Sequence, residues 1–278
     1  MTPRLHQDHS GATSDWHLVQ LWLSGRPERT QIEYERDAVR FLDTLSNGLQ
    51  NATVDDVVSF VSTLKGAPST IAKSVSVVKS LLSFGHKTGY LVYNVGLVVK
   101  QPAVPKTVHE RIMDEEDVRL MVKYAGSTRD RILIRLLYLS GARISEAVGL
   151  RWKDVENGRL HFFGKGSKTR TIIVPEALTE ELSSLRGPSD DGSDPVFRTV
   201  QGNPLTTRQA QRRIAQTAER AGLEVSPHWF RHSHATHAIE KGAHIHVVQQ
   251  TLGHASVATT GTYLHVRPTQ GSAQYLTC

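Results

Sequence analysis

A single cysteine among 278 residues, Cys278 at the last position, excludes an internal disulfide framework and any cysteine-rich metal site. No apolar run comes near the roughly 20 residues that a membrane span requires, so the chain reads as soluble and without a membrane partner. The opening stretch MTPRLHQDHSGATSD lacks the charged-then-apolar order of an export signal; residues 1–13 read as a flexible lead-in. One cysteine and no export signal together suit a reducing cytoplasm. Neither an internal repeat nor a low-complexity tract is present. Acid is scarce toward the end: from residue 200 onward there are seven lysines and arginines, three glutamates and no aspartate.

The composition is otherwise that of a folded protein, with 38% hydrophobic and 22% charged residues, and the length suits two domains. A net charge of +6 makes a polyanionic partner plausible, because lysines and arginines that displace counterions from phosphates drive nucleic-acid binding. Charge alone does not choose that partner. It does mark the final third as the phosphate-facing candidate.

The segment KQPAVPKTVHE, with two prolines and no helical period, sets a linker at 101–110. Before it, over 14–100, DWHLVQLWL, TQIEYERDAVRFLDTL, TVDDVVSFVSTL and STIAKSVSVVKSLLSFGHKTG all carry apolar residues at helical spacing, with Thr30, Thr53 and Ser69 placed as N-caps. That half reads as a bundle of four or five helices. After it, over 111–278, DEEDVRLMVKYA and the uniformly apolar DRILIRLLYLSG are helical. RLHFFGKGSKTRTIIVP then alternates like a β-hairpin around a glycine-bearing turn. Helices resume in TTRQAQRRIAQTAERAG, PHWFRHSHATHAIEKGAH and IHVVQQTLGH, with Gly222 and Gly242 as C-caps, and end in SVATTGTYLHV. The fold class is therefore mainly α with a small β-sheet (α+β).

In HWFRHSHATH, His228 and His232 stand four apart on one helix face and could share a zinc ion. The protease pattern built on that spacing needs a glutamate after the first histidine, and Trp229 stands there. A different chemistry emerges from Arg143, Lys165, His228, Arg231, His254 and Tyr263 taken together. Guanidinium forks match two phosphate oxygens and keep their charge, so they can stabilise a pentacoordinate phosphorus. A phenol can attack phosphorus and hold it covalently, and a lysine on a hairpin can protonate the departing oxygen.

These residues lie in Gly141-Ala-Arg143-Ile-Ser145-Glu146, Gly164-Lys165-Gly166-Ser-Lys168, His228-Trp-Phe-Arg231-His232-Ser-His-Ala235-Thr236, Leu252-Gly253-His254 and Thr260-Gly-Thr-Tyr263. In content and order the motifs resemble those of the tyrosine recombinase (phage integrase) family, in particular its short Xer-like members. The resemblance covers nearly the whole chain, since the helical half before the linker is similar to the core-binding, SAM-like domain that precedes the family's catalytic domain. It implies that Arg143, Arg231 and His254 contact the scissile phosphate, that His228 assists by proton transfer or phosphate contact, that Lys165 rather than Lys168 is the general acid, and that Tyr263 is the nucleophile. It also implies a 3′-phosphotyrosyl intermediate, a Holliday junction, double-stranded DNA with paired recombination sites, and a homotetramer or a hetero-tetramer with a related recombinase. No cofactor or metal is implied, and the chain would act at the nucleoid.

Glu146 reads as a structural partner of basic neighbours, His232 as a support of the site, and His234 and His237 as surface or structural residues. On the basic helix 207–222, Arg208, Arg212 and Arg213 are DNA-binding candidates. Lys73, Lys79, Arg36 and Arg40 are the candidates before the linker. Three other readings compete: a type IB topoisomerase that relaxes DNA, a DNA-binding protein without catalysis, and a zinc hydrolase built on the eight histidines between 228 and 265.

Overall fold

The computed structural model describes residues 7–103, 112–163 and 169–253. The chain divides into two compact units, Met1–Lys106 and Thr107–Cys278, each with its own apolar core.

The first unit holds α1 (Asp15–Leu23), α2 (Glu28–Leu42), α3 (Val54–Thr63) and α4 (Pro68–Thr88). Apolar residues three and four apart on these helices meet in one core, with Leu18, Phe41, Phe60, Leu81 and Leu82 buried at its centre. The rings of Phe41 and Phe60 pack edge to face at 5.4 Å. Thr53 caps α3 in a full capping box with Asp56, as its sequence predicts. Thr30 and Ser69 do not cap: α2 begins at Glu28 after Pro27, and α4 begins at Pro68 after Ala67. In both cases proline sets the boundary, because its fixed φ suits a helix entry and its missing N–H is not wanted there. The chain leaving α4 turns back along it: Lys79 Nζ donates to Val99 O at 2.8 Å and Gln101 Nε2 to Ala72 O at 3.0 Å.

The second unit starts with α5 (Glu115–Lys123), α6 (Thr128–Ser140) and the short α7 (Ile144–Val148). Strands β1 (Val155–Glu156), β2 (Arg159–Phe163) and β3 (Thr169–Ile173) form an antiparallel sheet in sequence order. Then come α8 (Glu176–Ser183), α9 (Thr207–Ala221), α10 (Pro227–Glu240) and α11 (Ile245–Leu252). The expected hairpin is present as β2 and β3. The edge strand β1 and the helix α8 went unread in the sequence, β1 because two residues are too few for a period to show. α6 is a core helix, with Ile132, Leu133, Ile134, Leu136 and Leu137 all buried. It ends at Gly141, whose φ of +60° is left-handed, and α11 ends likewise at Gly253 with φ of +65°. These two helix ends frame the site.

Candidate functional site

Arg231 lies on the second turn of α10 and is 5% exposed. An unpaired guanidinium at that depth would be costly, and each of its two terminal nitrogens gives one of its hydrogens to a backbone carbonyl: Nη1 donates to Gly141 O at 2.7 Å and Nη2 to Leu252 O at 2.6 Å. Both acceptors are at helix C-termini, where the last carbonyls lack intrahelical partners and the dipole is negative. One side chain thus ties the ends of α6 and α11 to α10. Three residues on, His234 adds a second tie: its Nδ1–H donates to Tyr138 O at 2.8 Å, one turn back in α6. A third comes from His237, which is buried and whose Nδ1 lies 3.0 Å from the Tyr138 hydroxyl. His234 and His237 are therefore structural, and neither is a surface residue.

The close approach of these helices explains the glycine at 141. A β-carbon there would fall 2.7 Å from Leu252 Cδ2 and 2.8 Å from the His234 ring.

Just past Gly141, Arg143 is the N-cap of α7 and keeps about two-fifths of its side chain exposed. Its backbone N–H donates to Glu146 Oε2 at 2.8 Å and its Nη1 to Glu146 Oε1 at 2.9 Å, so the guanidinium is held from behind while its outer edge faces solvent. Glu146 is itself buried and gripped by a second arginine. Arg170 Nη1 and Nη2 reach Oε1 and Oε2 at 2.8 and 2.7 Å, a bidentate fork. Burial works against this carboxylate, yet the Arg170 hydrogen bonds, the Arg143 backbone N–H and the neighbouring charges outweigh it and hold its pKa at about 2. Glu146 is a permanent anion whose role is to place cations.

His228 occupies the first turn of α10 on the same face as Arg231. Partial burial, then the charges of Arg231 and Arg143, lower its pKa below the usual imidazole value. The charges of both guanidiniums reach this ring, and the bond from Arg231 to the Gly141 carbonyl sets α10 beside the turn that carries Arg143. His232 lies one position beyond Arg231 on α10, half-buried. Lys165, His254 and Tyr263, together with Lys168, lie outside the described residues.

Arg170 was missed in the sequence, although a signal was available. It pairs with Phe162 in the hairpin register, and Leu160 pairs with Ile172. Buried Leu160, Phe162, Ile172 and Val174 fix that face as the core side, so an arginine at 170 had to point inward and find a buried anion.

The DNA-binding candidates fall on both units. On α9, Ala210, Ile214, Thr217 and Ala218 face the core, which turns Arg208 and Arg212 outward and leaves Arg213 half-buried. Arg129, Gln209, Arg212 and Arg213 line a cleft of about 270 Å³. In the first unit Arg36 and Arg40 are exposed on α2. Lys73 on α4 is paired to Glu33 at 2.6 Å, and Lys79 holds the Val99 carbonyl. Among the described residues no three histidines, cysteines or carboxylates cluster as a metal site, and no helix is long and apolar enough to cross a membrane.

The sequence matches the phage integrase family over residues 109–270 and the phage integrase N-terminal SAM-like domain over residues 19–89. It is 33% identical to the tyrosine recombinase XerD of Corynebacterium glutamicum, over 90% of this chain and 93% of that protein. Its fold is that of a lambda integrase dimer bound to a COC′ core site, at a TM-score of 0.76 and 15% identity over 92% of this chain and 77% of the other. A lambda integrase tetramer bound to a Holliday junction gives 0.71 at 15% identity, covering 88% and 78%. The XerH recombinase bound to a palindromic difH substrate, in a post-cleavage complex, also gives 0.71, at 24% identity and 91% and 82% coverage.

Proposed function

Because the chain belongs to the phage integrase family of tyrosine recombinases, we propose that it recombines DNA at specific sites through the six side chains singled out by its motifs. It is an enzyme that breaks and rejoins DNA strands. The observation that carries the assignment of residues is the meeting of Arg143, His228 and Arg231 at the ends of α6 and α11. Two cations beside a neutral imidazole suit a phosphodiester whose non-bridging oxygens gain charge as phosphorus becomes pentacoordinate. In this reading Arg143, Arg231 and His254 contact those oxygens. His228 accepts the phenolic proton or contacts the phosphate, Tyr263 attacks phosphorus, and Lys165 protonates the leaving 5′ oxygen.

The bond energy is kept in a 3′-phosphotyrosyl link beside a free 5′-hydroxyl, so strand exchange through a Holliday junction needs no ATP, and arginines do the work that a metal would do. Double-stranded DNA carrying paired sites is the substrate, and four protomers, identical or of two related kinds, act on it at the nucleoid. We assign 14–100 as the core-binding domain, 101–110 as the linker and 111–278 as the catalytic domain. Arg208, Arg212 and Arg213 are the DNA-binding residues outside the catalytic centre; Lys73 and Lys79, the other two candidates, are engaged with Glu33 and with the Val99 carbonyl.

A nicked suicide substrate tests the assignment. The wild-type chain is expected to form a covalent protein–DNA adduct on denaturing gels. Tyr263→Phe is expected to bind the same DNA and form none. An adduct that persists in Tyr263→Phe removes that residue as nucleophile, and plasmid relaxation without strand exchange between paired sites would favour a relaxing enzyme.

A further inference from the structure

Arg170 is tied into the site from three directions and belongs to none of the motifs. Its fork holds both oxygens of Glu146, and Glu146 in turn holds the guanidinium and backbone N–H of Arg143. Its Nε donates to Thr251 O at 3.0 Å, in the last turn of α11. The guanidinium lies over the Phe162 ring, 5.4 Å from the centroid, and the side chain is 13% exposed. Its aliphatic stem also bears on Gly253, where a β-carbon would stand 3.1 Å from Arg170 Cδ. One residue of β3 therefore spans three elements: the α7 N-terminus that carries Arg143, the sheet, and the end of α11. All three donor nitrogens are used, two on a carboxylate and one on a separate backbone carbonyl, which only a guanidinium can do at once.

We propose that Arg170 is the positioning residue that sets the Arg143 guanidinium and the α11 end in register for the phosphate. This rests on the assignment of Arg143 as a phosphate-binding residue. Through Glu146 it fixes which way Arg143 faces, and through Thr251 it fixes the distance between Arg143 and the turn that leads into the LGH motif. It touches neither substrate nor the reacting atoms. Removing it takes away the fork on Glu146 but leaves the phosphate-facing cations, Arg143 and Arg231, present and free to drift, so the defect falls on the chemical step and spares DNA affinity.

The test is single-turnover cleavage of a suicide substrate, with DNA affinity measured in parallel. Arg170→Met is expected to bind DNA as wild type does and to cleave about 100-fold more slowly, the reduction that a misplacement near 1 Å brings. Arg170→Lys keeps the charge and most of the stem, so it guards against a variant that fails to fold. It cannot hold the carboxylate and the carbonyl together, and is expected to cleave about 10-fold more slowly. A substrate with a 5′-bridging sulfur, whose thiolate leaves without a proton, is expected to restore neither variant.

Wild-type rates in Arg170→Lys would overturn the proposal. Rescue by the bridging sulfur would also overturn it, because the defect would then lie in protonation of the leaving group. Failure of the wild-type chain to form any adduct would instead sink the catalytic assignment itself, and the two failures cannot be confused.

Discussion

His228 shows how a single residue takes its chemistry from its neighbours. On its own it is an imidazole at a helix start, where the positive end of the dipole already disfavours a proton. Partial burial and the charges of Arg231 and Arg143 push in the same direction, so its pKa lies below 6.5 and the ring is neutral at pH 7. A neutral ring can accept the phenolic proton, whereas a protonated one would add a third cation beside two guanidiniums. With His228 as the proposed proton acceptor, acidification is expected to cost activity only below the ordinary histidine range, since a depressed pKa keeps the neutral form down to lower pH. Cleavage measured at subsaturating DNA reports the free enzyme. The rate is expected to be flat through neutrality and to fall with a midpoint below 6.5, and His228→Asn is expected to be slow throughout and to lack that acid limb. A wild-type midpoint above the ordinary imidazole value would mean that the two arginines do not act on this ring.

The site exists because two helices end at one place. α6 and α11 each stop at a left-handed glycine, and Arg231 draws the carbonyls of both ends onto α10. Gly141→Ala should disturb this most sharply for the smallest change. It asks alanine to hold φ near +60° and sets a methyl 2.7 Å from Leu252 and 2.8 Å from His234. The left-handed backbone alone costs about 1 kcal/mol, and relieving the overlap adds roughly 1–3 kcal/mol. Urea unfolding is expected to show a destabilisation of about 2–4 kcal/mol, with cleavage reduced in the folded fraction. An unchanged midpoint would mean that the helix ends are not closely packed.

How much of this was legible follows from its range in sequence. α3 and α9 announced themselves because their periods and their caps, Thr53 and Gly222, are local, and the motifs named Arg143, His228 and Arg231 as a set. What stayed hidden was the placement of side chains by distant partners. Arg231 meets carbonyls 90 and 21 residues away, and Arg170 meets a carboxylate 24 residues away. Residue types do not name such distant partners, although the hairpin's alternation already turned Arg170 toward the core. His234 and His237 read as either surface or structural residues for the same reason, since the partner that decides it, Tyr138, lies on another helix. Thr30 and Ser69 failed at shorter range, where an adjacent proline outranked a hydroxyl as the helix boundary.

For the molecule as a whole, the question is which face holds the duplex once the chemistry is assigned. Net charge of +6 gives attraction without direction, and only side chains that reach phosphates add to the salt dependence of binding. On α9 the burial of Ala210, Ile214, Thr217 and Ala218 leaves Arg208 and Arg212 outward, with Arg213 at the edge. In the first unit Lys73 is already paired to Glu33, and Lys79 is anchored on the carbonyl of Val99, so neither side chain is extended toward a partner outside the protein. The two groups should therefore differ in measurable ways. Replacing Arg208 or Arg212 by glutamine is expected to reduce the slope of log K against log salt by about 0.9 for each phosphate left without its cation, and equally on target and random DNA, because the phosphate backbone carries no sequence information. Lys79→Met is expected to leave the slope nearly unchanged and to lower stability instead, through the freed Val99 carbonyl, by about 1 kcal/mol. Filter binding from low to moderate salt, with denaturant unfolding beside it, separates the two. A slope reduced by a full unit in Lys79→Met would move that lysine onto the DNA, and an unaltered slope in Arg208→Gln and Arg212→Gln together would turn α9 away from it.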